Sequence, residues 1–390
     1  MADLSPELEA LRRTVPALES QVYLANCSQG PLSTPVRDAL ASFLDGWNDV
    51  PLNWDRWMEE VEAARASFAA LVGAEPVDVA IGTSLSQLVS SIVSALVRSR
   101  QSPRRRIVTS AAEFPGVAHA WLAARAYGWF VEQLQADAVA PLETMDVVAA
   151  IDDATAVVSV PYVSYANGAM LDLEPIVETA HAHDALAFVD VYQAAGTIPI
   201  DVRALNVDLL ASGALKYLMG TAGIAFLYVN PDLRDRLLPT VTGWFGREDP
   251  FAFDATTLDY PQSASRFDLG TPPVVNAYAA RAGIELVMQT GPAAVRAHLE
   301  QLSAAAFDLA GRLDLRILGP KTPESKGATT AFDAGSAERA DEVAEALRER
   351  DVIVAPRGRA VRLAPHGFTR QDELEHAITE LAGVLAAART

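Results

Sequence analysis

The chain has 390 residues, 50% hydrophobic and 21% charged, with 50 acidic against 31 basic side chains and a formal net charge of -19. Apolar content of that order excludes wholesale disorder, and the size fits two domains or one large α/β unit. The acidic balance excludes nucleic acid, whose phosphates need clustered Lys and Arg, and a lone cysteine, Cys27, excludes an intramolecular disulfide framework and a Cys-rich metal site.

In chain order, the amino-terminal MADLSPELEALRRTV has no apolar signal-like core, and no uncharged run reaches the ~18 residues of a membrane span. No membrane partner and a cytoplasmic location are expected. Apolar residues three and four apart predict helices over 35–45, 56–72, 85–98 and 116–127, with buried strands at Val79–Ile81 and Ile107–Thr109. The triplet Arg104–Arg106 reads as a solvated loop ahead of the second strand. Further strands follow at Ala156–Val160, Ala187–Asp190, Leu209–Ala211 and Ile224–Tyr228, with a helix over 174–183. Strands alternating with helices imply a mostly parallel sheet covered on both faces, where ligands collect at the carboxyl ends of the strands.

Residues 239–273, rich in Pro, Gly, Trp and Phe, read as a long irregular connection, a kind that is more often functional than idle. Beyond it, helices over 276–290, 293–312, 338–350 and 371–387 and strands at Ile317–Leu318, Thr329–Phe332, Val352–Ala355 and Ala360–Leu363 predict a smaller α+β domain. The expected organisation is an amino-terminal arm over 1–20 that packs with the small domain, a large domain over 21–264 and a small domain over 265–390.

Three strand ends carry chemistry. Ile81-Gly82-Thr83-Ser84-Leu85-Ser86-Gln87 runs from a strand through a hydroxyl-rich turn into a helix, an anion site built from Ser hydroxyls and free N–H groups; Ser84 as a plain helix cap is the alternative. Asp190 ends a buried strand and needs a cationic partner or several donors to stay ionised. Lys216 follows the strand Leu209–Ala211 in apolar company, where desolvation leaves a nucleophilic amine. Of the 31 basic residues only Lys216, Lys321 and Lys326 are lysines, and the last two fall in a small-domain loop where a solvated role suffices. A phosphate cradle, a carboxylate and a lysine about 26 residues further on meet the requirements of pyridoxal 5'-phosphate. Neither G-x-G-x-x-G nor G-K-[ST] competes.

Across VVSVPYVSYANGAMLDLEPI, FVDVYQAAGTIPIDV and LLASGALKYLMGTAGIAFLYV the chain resembles fold-type I pyridoxal-phosphate enzymes of aminotransferase class V, a group that includes cysteine desulfurases, selenocysteine lyases, kynureninases and isopenicillin N epimerases. The resemblance extends from YLANCSQGPLSTPV to VRLAPHGFTRQDEL. It implies the three-layer α/β fold of these enzymes, an amino-acid substrate and a homodimer with shared active sites. By resemblance, Lys216 is the Schiff-base lysine, Asp190 the partner of the pyridine nitrogen and Gln193 a donor to the ring hydroxyl. Leu85 through its backbone, Ser86 and Ser212 hold the phosphate, and Phe114 stacks on the ring. Arg362 clamps the substrate carboxylate, and Tyr165 lies beside the substrate. Gly243–Gly246 with Trp244, and Gly270–Pro273 with Thr271, reach the partner's site, Thr271 toward the phosphate.

Departures from the family pattern matter equally. Leu215 stands before the lysine, where His or Tyr often helps hold the phosphate, and cannot donate. Val163-Ser164-Tyr165-Ala166-Asn167-Gly168 is nearer the kynureninase form. No cysteine follows position 27, which excludes the usual persulfide relay unless Cys27 reaches the site. Trp54 and Trp57 either line the substrate mouth or pack between helices. The expected activity is carbon–sulfur β-elimination from a cysteine conjugate, giving keto acid and ammonia. Kynureninase-like hydrolysis, epimerisation or transamination, and cofactor binding without turnover are the alternatives.

Overall fold

The computed structural model describes residues 4–99 and 104–387. Helix α1 (Pro6–Arg13) is capped by Ser5, whose hydroxyl accepts from Leu8 N, and leads to β1 (Val22–Tyr23). Ser33 caps α2 (Thr34–Asp49), and α3 (Trp54–Val72) stops at Gly73, which adopts the left-handed conformation (φ 73°) that a helix end demands and a side chain resists. Next come β2 (Val79–Gly82), α4 (Leu85–Ser99), β3 (Arg106–Ser110), α5 (Pro115–Ala123), β4 (Phe130–Leu134), α6 (Thr144–Ala150), β5 (Thr155–Pro161), α7 (Leu173–Ala182), β6 (Leu186–Asp190), β7 (Leu209–Gly213) and β8 (Ala225–Val229).

These strands form one seven-stranded sheet in the order β2-β8-β7-β6-β5-β3-β4. All neighbours pair in parallel except at β8, which runs antiparallel to both β7 and β2. Consecutive residues bury to opposite faces. Val158, Val189 and Leu210 join a core with residues of α3, α7 and α8 (Val274–Thr290). Val157, Phe188 and Leu209 join another with α4 and α5. The result is a three-layer α/β/α sandwich, whose fully buried strands explain why the sequence shows continuous apolar runs rather than alternation.

The carboxyl-terminal part continues with α9 (Pro292–Arg312), β9 (Ile317–Leu318), β10 (Thr330–Asp333), α10 (Ala337–Arg348), β11 (Val352–Ile353), β12 (Ala355–Arg357), β13 (Ala360–Leu363) and α11 (Gln371–Ala387). β12-β13-β10-β9 form an antiparallel sheet, while β11 pairs in parallel with β1. The run Val352–Ala355 is therefore split between two sheets, because its neighbours on either side differ. Leu8 and Leu24 share an apolar core with Val295, Leu299, Phe332, Val361 and Leu374, and Arg12 pairs with Glu373, so α1 and β1 pack on this second unit.

Several details differ from the sequence reading. β4 and α6 were not expected: β4 is an edge strand of mixed polarity whose first residue, Phe130, is exposed, and α6 spans 7 residues. Residues 124–127 form a 3₁₀ turn rather than the end of a helix. Arg106 is not in a solvated loop but opens β3, paired with Glu132 and Asp152. The connection over 239–273 is irregular, with short 3₁₀ turns, and is pinned where Asp268 accepts from Ile81 N (2.8 Å) and pairs with buried Arg65 (2.9 Å). Trp54 and Trp57 pack in an aromatic cluster with Phe43, Trp244 and Phe251.

The largest correction concerns Lys326. It is 1% exposed, and its ammonium donates to Ser303 Oγ (2.8 Å) and to the carbonyls of Gly327 (2.9 Å) and Ala328. Burial, with Arg296 nearby, pushes its pKa down to about 7. Lysine type argues for solvent, but three acceptors converge here that sequence spacing does not reveal. Lys326→Ala leaves two carbonyls unpaired and a cavity, so urea unfolding at mildly alkaline pH should show a loss of about 2–4 kcal/mol.

Candidate active site

Parallel pairing sets the site. Asp190 on β6 lies level with Pro161 on β5 and Ala211 on β7, so three strands end together at the carboxyl edge of the sheet. The chain leaving β7 turns through Ser212 to Lys216 and is then gripped by the second unit. Tyr217 is buried in that unit's core; its hydroxyl meets Thr329 Oγ1 (3.1 Å), and its carbonyl meets His366 Nε2 (2.9 Å). Gly30 packs so closely on the Lys216 carbonyl that a Cβ would overlap it. The lysine is therefore fixed from three sides.

Lys216 is 9% exposed and shares one pocket with Glu113, Phe114, Pro161, Tyr165, Asp190, Tyr192 and Gln193. Among the described residues no hydrogen bond or ion pair engages its Nζ, which lies 4.3 Å from the centre of the Tyr192 ring and 5.3 Å from that of Phe114. Desolvation dominates and lowers its pKa to about 8, opposed by Asp190. Asp190 accepts from Tyr192 N (2.7 Å), and burial raises its pKa to about 6 against the pull of that hydrogen bond and of Lys216.

Glu113 was passed over in the sequence. Its Oε1 accepts from Phe114 N (2.9 Å), its Oε2 is buried without a partner, and desolvation plus the nearby Asp190 carboxylate raise its pKa well above the usual range. The signal available was a carboxylate directly before the stacking aromatic at a helix start.

The remaining residues fall into two groups. Phe114 caps α5 and meets Tyr165 edge-on at 5.3 Å. Gln193 donates through Nε2 to the Cys27 carbonyl (2.9 Å), leaving a second amide hydrogen free and its Oε1 unpartnered. Arg362 on β13 is buried and donates to the carbonyls of Ala355 (3.2 Å) and Tyr165 (2.6 Å) and to Ser28 Oγ (3.1 Å). Ser84 caps α4 by accepting from Gln87 N, while the N–H groups of Leu85 and Ser86 have no acceptor among the described residues and Ser86 is exposed. The cap and the open helix end coexist. Ser212 Oγ donates to the Gly213 carbonyl (3.0 Å). Of the expected site residues, Leu85, Ser86, Ser212, Arg362, Trp244 and Thr271 do not line this pocket: Trp244 sits in the aromatic cluster, and Ser86 and Thr271 are exposed.

An unengaged buried lysine opposite a buried carboxylate, flanked by two aromatic rings at the strand ends of a three-layer sheet, fits pyridoxal 5'-phosphate. The orphaned polar atoms of Glu113 and Gln193 and the open N–H groups of α4 add groups that such a ligand would use. The architecture is that of a fold-type I pyridoxal-phosphate enzyme.

The sequence profile of the Aminotransferase class-V family matches residues 22–374, and the chain belongs to that family, whose cofactor is pyridoxal 5'-phosphate. It is 38% identical to the uncharacterized aminotransferase YcbU of Bacillus subtilis over 96% of this chain and 97% of that protein. It is 30% identical to a probable cysteine desulfurase of Streptomyces coelicolor (89% and 87% covered) and 27% identical to the kynureninase of Pseudomonas fluorescens (94% and 89%). Among solved structures, the apo cysteine desulfurase of Thermococcus onnurineus superposes with a TM-score of 0.85 at 21% identity, covering 99% of this chain and all of that one. The cystine C-S lyase C-DES superposes with a TM-score of 0.84 at 19% identity, covering 94% and 98%. Among the described residues no helix is long and apolar enough to cross a membrane, and no cluster of His, Cys, Asp and Glu could hold a metal ion.

A lysine whose pKa falls on folding, here from 10.5 to about 8, binds its proton less well in the folded state. Folding of the cofactor-free protein is then opposed fully below about 8, and the opposition fades as pH rises to 10.5. Lys216→Met should stabilise the cofactor-free protein by on the order of 3 kcal/mol at neutral pH, with the gain vanishing at high pH; thermal melts across pH check this.

Proposed function

We propose that this enzyme is a pyridoxal-phosphate lyase that acts on an L-amino acid and expels a sulfur substituent from its β-carbon, with cysteine conjugates as the substrate class and a keto acid and ammonia as final products. The observation that carries the reading is Lys216 itself, a desolvated amine with no competing hydrogen bond, set between Phe114 and Tyr192 and facing Asp190. Bound there, the cofactor supplies an electron sink conjugated with the substrate's α-carbon. Asp190 holds a proton on the ring nitrogen, Gln193 donates its spare amide hydrogen to the ring hydroxyl, and Leu85, Ser86 and Ser212 receive the phosphate.

Arg362 already gives three of its five N–H groups to the protein, which fixes the plane of the guanidinium and leaves one on each terminal nitrogen for the substrate carboxylate. Lys216, with a pKa near 8, takes the α-proton as a base close to neutral pH. Sulfur release on the substrate's own leaving group is supported by Cys27, which is 2% exposed in the second unit's core and does not line the pocket. A second reading, carbon–carbon hydrolysis of a kynurenine, is favoured by the edge-on Phe114–Tyr165 pair. Epimerisation and transamination use the same lysine and differ only in the fate of the carbanion.

We place the enzyme in the cytoplasm as a homodimer, with domains over 21–264 and 265–390 and an arm over 1–20. Apolar residues on α2 and on the connection, including Leu44, Trp47 and Phe251 with Phe253 at 74% exposure, form a surface suited to a second copy. Trp244 and Thr271 would then serve the partner's site.

Purified protein incubated with the cofactor should absorb in the visible, and borohydride should fix the cofactor on Lys216; Lys216→Ala should lose both. Protein that stays colourless sinks the cofactor reading. Pyruvate and ammonia should form from S-substituted cysteines. Anthranilate from kynurenine with no pyruvate from any cysteine would replace the lyase assignment with the hydrolase, and keto-acid-dependent amino transfer or racemised substrate would replace it with the other two. A bound cofactor with no turnover leaves a binding protein.

A further inference from the structure

Tyr192 joins the two strand ends that the chemistry needs. Its N–H is spent on Asp190, while its side chain runs across to the turn after β7. At Gly213, the last residue of β7, the phenol comes so close that any Cβ would overlap it. Its ring centre is 4.3 Å from Lys216 Nζ, an amine that lies 5.3 Å from the centre of the Phe114 ring. Tyr192 packs against the apolar cluster that contains Leu85 and Ala211. Leu215 has no side-chain donor to offer in this turn. Tyr192 is engaged through its backbone N–H, and its phenol keeps a hydrogen to give.

We propose that Tyr192 is a cofactor-binding residue: its hydroxyl donates to the phosphate, supplying the hydrogen bond that Leu215 cannot, and its ring forms the face opposite Phe114. The assignment rests on the pyridoxal-phosphate reading of the site. A hydrogen bond to a phosphate oxygen is charge-assisted, and its loss should cost about tenfold in affinity.

The test compares dissociation constants of pyridoxal 5'-phosphate and of pyridoxal, which lacks the phosphate, for wild type, Tyr192→Phe and Tyr192→Leu, with circular dichroism to confirm folding. Tyr192→Phe should weaken the phosphorylated cofactor about tenfold and leave pyridoxal unchanged, and the phosphorus NMR resonance of the bound cofactor should move. Tyr192→Leu should weaken both ligands. Equal affinity of Tyr192→Phe for the phosphorylated form, an equal loss for both ligands, or an unmoved phosphorus resonance overturns the hydroxyl's role. Wild type that takes up neither ligand overturns the cofactor reading instead.

Discussion

Lys216 is an amine held largely away from water, and the rest of the site follows from that constraint. Burial alone would strip its proton, and Asp190, level with Ala211 through the parallel pairing of β6 and β7, restores part of the affinity. The two effects compete and leave the amine with a pKa near 8, charged often enough to attract a carboxylate and neutral often enough to attack a carbonyl. Neither value belongs to a residue alone. Moving β7 by one position would send the following turn to the other face of the sheet and remove both influences together.

Position and exposure are set by different parts of the chain. The sheet fixes where the lysine's backbone starts, but Tyr217, Thr329 and His366 fix where it ends, and all three belong to the second unit's packing. The same unit sends Arg362 to the Tyr165 carbonyl, which ties this buried guanidinium to the loop after β5. Lys326 closes that loop from behind, since its backbone bridges Ala169 while its ammonium ties α9 to the carbonyls of Gly327 and Ala328 ahead of β10. Catalytic geometry is therefore a property of how the two units meet, and substitutions remote from the pocket can reach it through this seam.

How much of this was legible depended on whether the signal was local. LAFVD and LLASG read as buried strands because a strand covered on both faces is apolar throughout, and a carboxylate or lysine just beyond such a run is conspicuous. The antiparallel direction of β8 was invisible, since its five buried residues look the same either way. The burial of Glu113 and Lys326 is not legible because residue type argues for solvent, and the groups that act on them come from elsewhere in the chain: the Asp190 charge on the first, the Ser303 hydroxyl on the second. Two of the three partners of Arg362 lie 197 and 334 residues away, beyond any motif.

The departures from the family pattern become coherent once placed in space. Leu215 brings no donor side chain to the segment that carries Lys216, and Gly213 gives the neighbouring Tyr192 phenol room. A tyrosine here would not fit beside any residue with a Cβ at 213, so the three positions act as one solution. Cysteine follows the same logic: Cys27 contributes its carbonyl to Gln193 and its thiol to an apolar core with Leu24 and Tyr217. A thiol committed to packing is not placed to act as a relay beside Lys216, and the proposed leaving-group chemistry asks for none.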